Sequence, residues 1–495
     1  MTWLDQLPIL VVLLPLMAAP LCILSGRAIA AWGLTVGVAW ASLAGVTLLL
    51  ARVLACGPID YAFGGWPPPW GIAYRVDLLA GFVLLLVTLS FAMVASFARK
   101  SVAAEIPRDR LAPFYSTLLL MFAGLAGICV TGDAFNLFVF LEISSLASYA
   151  LIAMGRDRRA LTAAFRYLIM GTIGATFVLI GIGFLYMMTG TLNMLDLARR
   201  LPEVTETRTV QAGLAFLTVG IGLKLALFPL HQWLPSAYAH APSVVSALLS
   251  ATATKVAVYA WLRFLLGVFD PAFSLGRMPL GPMLLVLGAA GVLVGSLAAI
   301  FQDDVKRLLA WSSIAQIGYM VLAIGMATTA GITAAVLHLF NHGLMKGTLF
   351  LAVGALVYRM GGARVSRLAG TAKHMPWTFA ALAIGGLSLI GIPGTLGFIS
   401  KWTLVLAAMD RQLWPVVAIV LAGSFLALVY VWRILEAGWM GTDDSSGRTP
   451  REAPLSMLLP IWVLALANLW FGLSTDLTLG VATRIAAGLS GGAMP

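Results

Sequence analysis

Charge is scarce in this chain. Asp, Glu, Lys and Arg make up 10% of its 495 residues, while 61% are hydrophobic. Soluble domains carry about 25% charged residues to cover their surface, so a soluble fold is excluded and a polytopic membrane protein is expected. Cysteine is scarcer still. Cys22, Cys56 and Cys129 fall at unrelated positions, which excludes a disulfide framework and a cysteine-based metal site. Long polar segments are also missing. The longest, "RKSVAAEIPRDR", "ARRLPEVTETRT" and "GTDDSSGRTPRE", are too short for a soluble domain. The formal net charge of +11 does not indicate a nucleic-acid partner. The basic residues sit in short loops between apolar runs, where they act as topology signals, and the expected partner surface is lipid. The N-terminus "MTWLDQLPILVVLLPLMAAPLCIL" has no basic segment ahead of its apolar run. It reads as a retained first helix rather than a cleaved signal.

What is present is a series of apolar runs. A helix needs about 20 apolar residues to cross the bilayer. That rule places spans near 7–25, 28–55, 76–97, 112–131, 133–154, 162–189, 209–228, 242–266, 280–300, 308–328, 331–357, 376–408, 413–440 and 455–480, about fourteen in an all-α fold. Between the second and third, "GPIDYAFGGWPPPWGIAYRVD" is rich in Gly, Pro and Trp. It is expected to fold as an interfacial loop or hairpin with aromatics at headgroup depth. In a fourteen-span layout the clusters Arg99/Lys100/Arg108/Arg110, Arg156/Arg158/Arg159, Lys306/Arg307, Arg359/Arg364/Arg367/Lys373 and Arg448/Arg451 share one side. The other side has chiefly Arg75, Arg199, Arg200, Arg208 and Arg411. The richer side is expected to be cytoplasmic, which puts both termini outside.

Two spans are interrupted. One reads "GIGLKLALFPLHQWLPSAYAHAP", with Pro229, Pro235 and Pro242; the other reads "LSLIGIPGTLGFISKWTLVL", with Pro393 between Gly391 and Gly394. Proline removes a backbone donor, so both helices are expected to open part-way across the membrane. Freed backbone at that depth is tolerated only where protein or water satisfies it. The two broken spans are the seventh and the twelfth. Broken spans at corresponding positions point to inverted repeats around a central ion path.

Ionisable residues inside the spans are the second signal, because a charge at mid-bilayer costs roughly 2.5–3.5 kcal/mol on insertion scales. They are Glu142, Lys224, Lys255, His338, His342, Lys346 and Lys401. Each has an ordinary explanation taken alone. A lysine near a helix end, Lys346 among them, snorkels to the headgroups; a histidine packs; a glutamate locks two helices by a hydrogen bond. Seven such groups together, mostly basic, are too costly unless water and partners reach them. His338, His342 and Lys346 advance by four residues, drifting about 40° per step along one face. They form a row expected to lie within hydrogen-bond reach, directly or through one water. The His338/His342 spacing also suits zinc, but no carboxylate or cysteine nearby in sequence completes a site. No metal, cofactor or catalytic constellation is expected. Histidine titrates near neutrality and desolvated lysine changes its protonation readily, so the row suits proton transfer better than holding a sugar or peptide. Glu142 is the one acid deep in the first half, and Lys224 is its expected partner. A tight pair keeps the proton on Lys224, and a loosened pair lets it pass to Lys255.

At these residues the chain resembles the antiporter-like membrane proteins of respiratory complex I, membrane-bound hydrogenases and Mrp-type cation/proton antiporters. The stretches "TGDAFNLFVFLEISSLASYALIA", "KLALFPLHQWLPSAYAHAPSVVSALLSATATK", "DDVKRLLAWSSIAQIGYM" and "HLFNHGLMKGTLFL" carry the likeness. It spans roughly residues 70–440 and, around Glu142, looks most like the D-type component of Mrp antiporters. The resemblance implies fourteen helices with two inverted five-helix repeats and broken helices seven and twelve. The corresponding units are 1–107 (helices 1–3 with the interfacial loop), 108–270 (first repeat), 271–441 (second repeat) and 442–495 (C-terminal loop and last helix). It implies that Glu142 pairs with Lys224, that Lys255 is a connector, that His338 and His342 belong to a hydrated axis with Lys346 close by, and that Lys401 ends the path. The neighbours implied are A-type and C-type components of an antiporter complex in a bacterial inner membrane, with protons and monovalent cations as cargo. A lysine at 401 is similar to the D-type Mrp component and to some complex I homologues. The long C-terminal lateral helix of the largest complex I homologue has no counterpart in this sequence, so that identity is not expected. The expected function is proton translocation in an Mrp-type sodium or potassium/proton antiporter, not an enzyme in itself. The alternatives are a redox-driven pump component of a complex I-like or hydrogenase-like assembly and, from another class, a stand-alone solute transporter.

Overall fold

The computed structural model describes residues 3–440 and 451–491; Arg448 and most of "GTDDSSGRTPRE" lie outside them. Helices follow the apolar runs. In chain order they are α1 Leu7–Leu24, α2 Ala28–Cys56, α3 Leu78–Glu105, α4 Leu111–Val130, α5 Ala134–Ala153, α6 Arg158–Thr189, α7 Met194–Arg200, α8 Arg208–Leu225, α9 Trp233–His240, α10 Ser243–Leu248, α11 Thr254–Leu262, α12 Leu280–Ile300, α13 Val305–Gly325, α14 Thr329–Met360, α15 Thr371–His374, α16 Pro376–Ile390, α17 Leu396–Asp410, α18 Trp414–Met440, α19 Leu455–Leu473 and α20 Asp476–Ser490. Short polar side chains start many of them. Asp77, Asp133, Thr207, Asp304 and Thr328 each accept a hydrogen bond from a first-turn backbone N–H, satisfying donors the helix leaves free. The Gly- and Trp-rich loop is a hairpin: β1 Ile59–Ala62 pairs antiparallel with β2 Ala73–Val76, and Trp66 and Trp70 at its tip are exposed.

Among the described residues, twelve helices are long and apolar enough to cross a membrane, counting α10 to α11 as one run, Ser243–Val268. The expected count of fourteen is reached only if the two interrupted segments are added. In the first, α8 stops at Leu225, Ala226 turns left-handed at φ 62°, and the Phe228–Pro229 peptide is cis before α9 begins. In the second, α16 stops at Ile390 and α17 begins at Leu396, with Gly391 at φ 91° and Gly394 at φ 85° between them. A side chain at Gly397 would put its Cβ 1.8 Å from the Ser388 carbonyl, so glycine is what lets α17 start against the end of α16.

Two boundaries and one charge differ from expectation. α3 runs on to Glu105, so Arg99 and Lys100 are helical rather than in a loop. The last apolar run is not one span over 455–480. α19 ends at Leu473, and α20 follows as a separate amphipathic helix laid against α14 and α3, burying Val481, Ile485 and Leu489. Leu477, Leu479 and Val481 in the first turns of α20 resume the apolar pattern just past Ser474–Asp476, which hides the break. Lys306 is not a solvated loop charge: it is buried, and its Nζ donates to the Ala241 carbonyl at 3.1 Å.

α14 lies at the centre, packed by α3, α10, α13, α16, α17, α19 and α20, and is buried without interruption from Gly331 to Leu356. Glycines set the close approach of neighbouring helices. Cβ atoms added at Gly181 and Gly220 would meet the backbone of the facing helix at 2.9 Å and 2.6 Å, as small residues at membrane helix interfaces do.

Candidate functional site

Glu142 sits mid-way along α5, and Lys224 occupies the last turn of α8, just before the chain opens. Lys224 Nζ donates to Glu142 Oε1 at 3.2 Å and to Ser145 Oγ at 2.8 Å. Ser145 lies three residues after Glu142, on the same helical face. The Lys224 side chain is 6% exposed and that of Glu142 24%, so the pair sits at an edge of the protein rather than at its centre. Beside it is a cavity of about 30 Å³ lined by Lys224, Ser144, Ser145, Ser148, Tyr167 and Ala253. A water needs roughly 10–15 Å³ of such space and polar partners, and both are present here.

Ala253 leads to Lys255. The helix winds as a π-turn over Leu249–Ala253 immediately before it. Lys255 is fully buried, donating to the Ser250 carbonyl and, at 3.3 Å, to Thr254 Oγ1. π-Turns displace backbone carbonyls from the regular ladder, and here the lysine amine takes up one of them.

On α14 the expected row is present but is not continuous. The His338 and His342 rings stack with centroids 6.0 Å apart and share no direct hydrogen bond. Both ring nitrogens of His342 and Nε2 of His338 are buried without a protein partner. Lys346 neither snorkels nor reaches His342. It is fully buried and turns onto α13, donating to the Leu309 carbonyl at 2.8 Å and Ser312 Oγ at 2.5 Å. The reason is local: α13 offers the buried amine a carbonyl and a hydroxyl as acceptors.

His338 Nδ1 is 2.8 Å from Ser400 Oγ, the residue before Lys401. Lys401 Nζ donates to the Leu389 and Ile390 carbonyls, both at 2.9 Å, and to Ser424 Oγ at 3.1 Å, and it lies 4.9 Å from the Tyr319 ring centroid. Leu389 and Ile390 end α16, so the amine caps the negative end of a half-helix. The aliphatic stem of Lys401 fills the space a side chain at Gly391 would need, at 3.1 Å.

The structure thus pairs Glu142 with Lys224, places the rings of His342 and His338 side by side and joins His338 to the residue before Lys401, while Lys255 bonds within its own helix and Lys346 turns aside to α13. The hydroxyls that hold the lysines, Ser145, Thr254, Ser312 and Ser424, were not expected; of these only Ser145, by its i+3 spacing from Glu142, had a sequence signal. A larger recess of about 440 Å³ opens at the end of the bundle that carries Glu105, Asp157, His240 and Lys306. It adjoins the break between α9 and α10, where Glu105 accepts from the Ser243 backbone N–H at 2.9 Å.

The match to known proteins is extensive. The family model described as the membrane region of NADH:quinone oxidoreductase and Mrp antiporter proteins matches residues 131–427. The N-type component of the NADH-quinone oxidoreductase of Desulforudis audaxviator is 44% identical, covering 95% of this chain and 96% of that protein. The D-type component of the Na(+)/H(+) antiporter of Alkalihalophilus pseudofirmus is 31% identical, covering 95% and 94%. A chain of the Mrp complex from Dietzia sp. DQ12-45-1b superposes with a TM-score of 0.90 at 26% identity, covering 99% and 98%. On these matches and on the shared architecture, the chain belongs to the membrane-embedded antiporter-like subunits of the NADH:quinone oxidoreductase/Mrp antiporter family.

Proposed function

We propose that this chain is a proton-translocating subunit of a multisubunit Mrp-type monovalent cation/proton antiporter, set in a bacterial inner membrane with both termini outside and with partner subunits completing sodium or potassium exchange. The observation that carries the reading is the Lys224–Glu142 ion pair at 3.2 Å, joined by a water-sized cavity to the helix that bears Lys255. The buried ring nitrogens of His338 and His342 without protein partners are polar groups that water satisfies, and water between Lys255, His342 and His338 makes the line a proton conductor. Closing the Lys224–Glu142 distance holds the proton on Lys224; opening it releases the proton towards Lys255, the two histidines and Lys401. Replacing Lys224 or Glu142 by alanine abolishes antiport in everted vesicles while the complex still assembles. Full antiport in both variants would falsify the proposal.

A second reading is favoured by the 44% identity to a quinone oxidoreductase component: the same membrane chemistry, powered by an electron-transfer arm. Purifying the native complex separates the two. Iron–sulfur proteins in the preparation support the redox pump; their absence beside further antiporter-like chains supports the exchanger.

A further inference from the structure

The proton line accounts for Lys255 but not for what stands beyond it on the same helix. Tyr259 and Arg263 follow Lys255 at four-residue steps, so they share its face, and all three are buried. Arg263 is eight residues from Lys255, about 12 Å along a helix, and it lies towards the end of the bundle opposite Glu105. There its guanidinium makes a bidentate ion pair with Asp77, whose side chain is 0% exposed, at the start of α3. Asp77 Oδ1 also accepts from the Ala80 N–H at 2.9 Å. Arg263 Nε donates to Tyr259 Oη at 2.9 Å, and Tyr259 donates its own proton to the Cys129 carbonyl at 2.7 Å.

We infer that Asp77, Arg263 and Tyr259 form a seal that closes this end of the first half, so that a proton on Lys255 can leave only sideways, towards His342 and Lys401. This rests on the proton path proposed above. Arginine does not deprotonate in proteins, so Arg263 passes no proton, and its ion pair with Asp77 fills the gap between the start of α3 and the helix that bears Lys255. Tyr259 is no relay either. Its single proton is already given to a backbone carbonyl and its oxygen is engaged by Arg263. Both Asp77 oxygens are taken. The cluster is a chain of hydrogen bonds from Asp77 through Arg263 and Tyr259 to the Cys129 carbonyl. Immediately beyond it lies a cavity of about 20 Å³ lined by Arg75, Thr131, Asn193 and Arg263, space enough for one water.

The test is passive proton leak through the purified intact complex in proteoliposomes, with an imposed pH gradient and no sodium or potassium gradient. Arg263→Ala is expected to raise the leak severalfold over wild type. Adding Lys224→Ala is expected to suppress that leak, because the supply to Lys255 is then cut. The apolar pair Asp77→Leu/Arg263→Met is expected to be as tight as wild type, since dry packing closes the same gap. A wild-type leak rate in assembled Arg263→Ala, or a leaky apolar pair, overturns the proposal. Should Arg263→Ala fail to assemble, Arg263→Ser, which likewise removes the ion pair and opens the gap, is read the same way. Leak needs no cation exchange, so loss of the antiporter reading leaves this result standing, and a tight Arg263→Ala variant with intact antiport removes the seal alone.

Discussion

Lys224 Nζ stands 3.2 Å from Glu142 Oε1 although 82 residues of chain separate them. Two structural facts hold the pair. α8 ends at Leu225, so Lys224 projects from a terminal turn. Ser145 supplies a second acceptor at 2.8 Å, so the lysine keeps a partner when the carboxylate moves.

Ser145→Ala tests that second contact. A neutral hydrogen bond contributes about 1 kcal/mol net, and one to a charged group about 1.5–3 kcal/mol. The variant is expected to assemble with slightly lower thermal stability and to exchange protons severalfold more slowly, because Lys224 loses its resting partner. Unchanged exchange rates in everted vesicles would show that the hydroxyl plays no part.

Lys401 separates a structural role from a conducting one. Its amine satisfies two carbonyls at the end of α16. Lys401→Met leaves both unpaired, at a cost of about 1–3 kcal/mol for each buried group, and is expected to lower the melting temperature of the complex. Lys401→Arg keeps donors at those carbonyls but never gives up its proton. It is expected to melt near wild type and to conduct no protons. Conduction by the arginine variant would remove Lys401 from the path.

His342 is expected to behave in the opposite way. Its ring nitrogens have no protein partner, so His342→Leu removes buried polar atoms without breaking a bond. The expected outcome is equal or higher thermal stability together with a loss of proton flux of roughly tenfold or more, a barrier increase of at least ~1.4 kcal/mol. Flux that survives in the leucine variant would mean protons bypass α14.

The second break depends on two glycines. Gly397→Ala drives a Cβ into the Ser388 carbonyl, and Gly391→Ala forces a left-handed conformation at φ 91° that costs an L-residue roughly 1–2 kcal/mol. Both are expected to reduce assembled protein in membranes, Gly397→Ala the more severely. Gly33→Ala and Gly37→Ala, with nothing within 4 Å, are the matched controls and should assemble normally. Normal yield of Gly397→Ala by fluorescence size-exclusion chromatography would mean that α17 does not need this approach to α16.

Much of this protein is legible in its sequence because membrane burial imposes strict rules on it. Apolar runs place the helices, since every backbone group in lipid must bond within its own segment. Pro229 and the Gly391–Gly394 stretch mark the breaks, since proline and glycine alter the backbone wherever they occur. The cost of a charge in lipid singles out Glu142, Lys224, Lys255 and Lys401 before any fold is known. What the amino-acid order could not decide is which side chain meets which. Helical spacing puts Lys346 on the face of His342, yet Lys346 turns to Leu309 and Ser312 on α13, because a buried amine goes to the nearest free oxygen, and that oxygen comes from a distant part of the chain. Asp77 and Arg263 lie 186 residues apart, one at a helix start and one near a span end, where each alone resembles an ordinary interfacial charge. Only the tertiary structure brings them together, since the pairing depends on how α3 and the Ser243–Val268 run pack and not on any local preference of either residue.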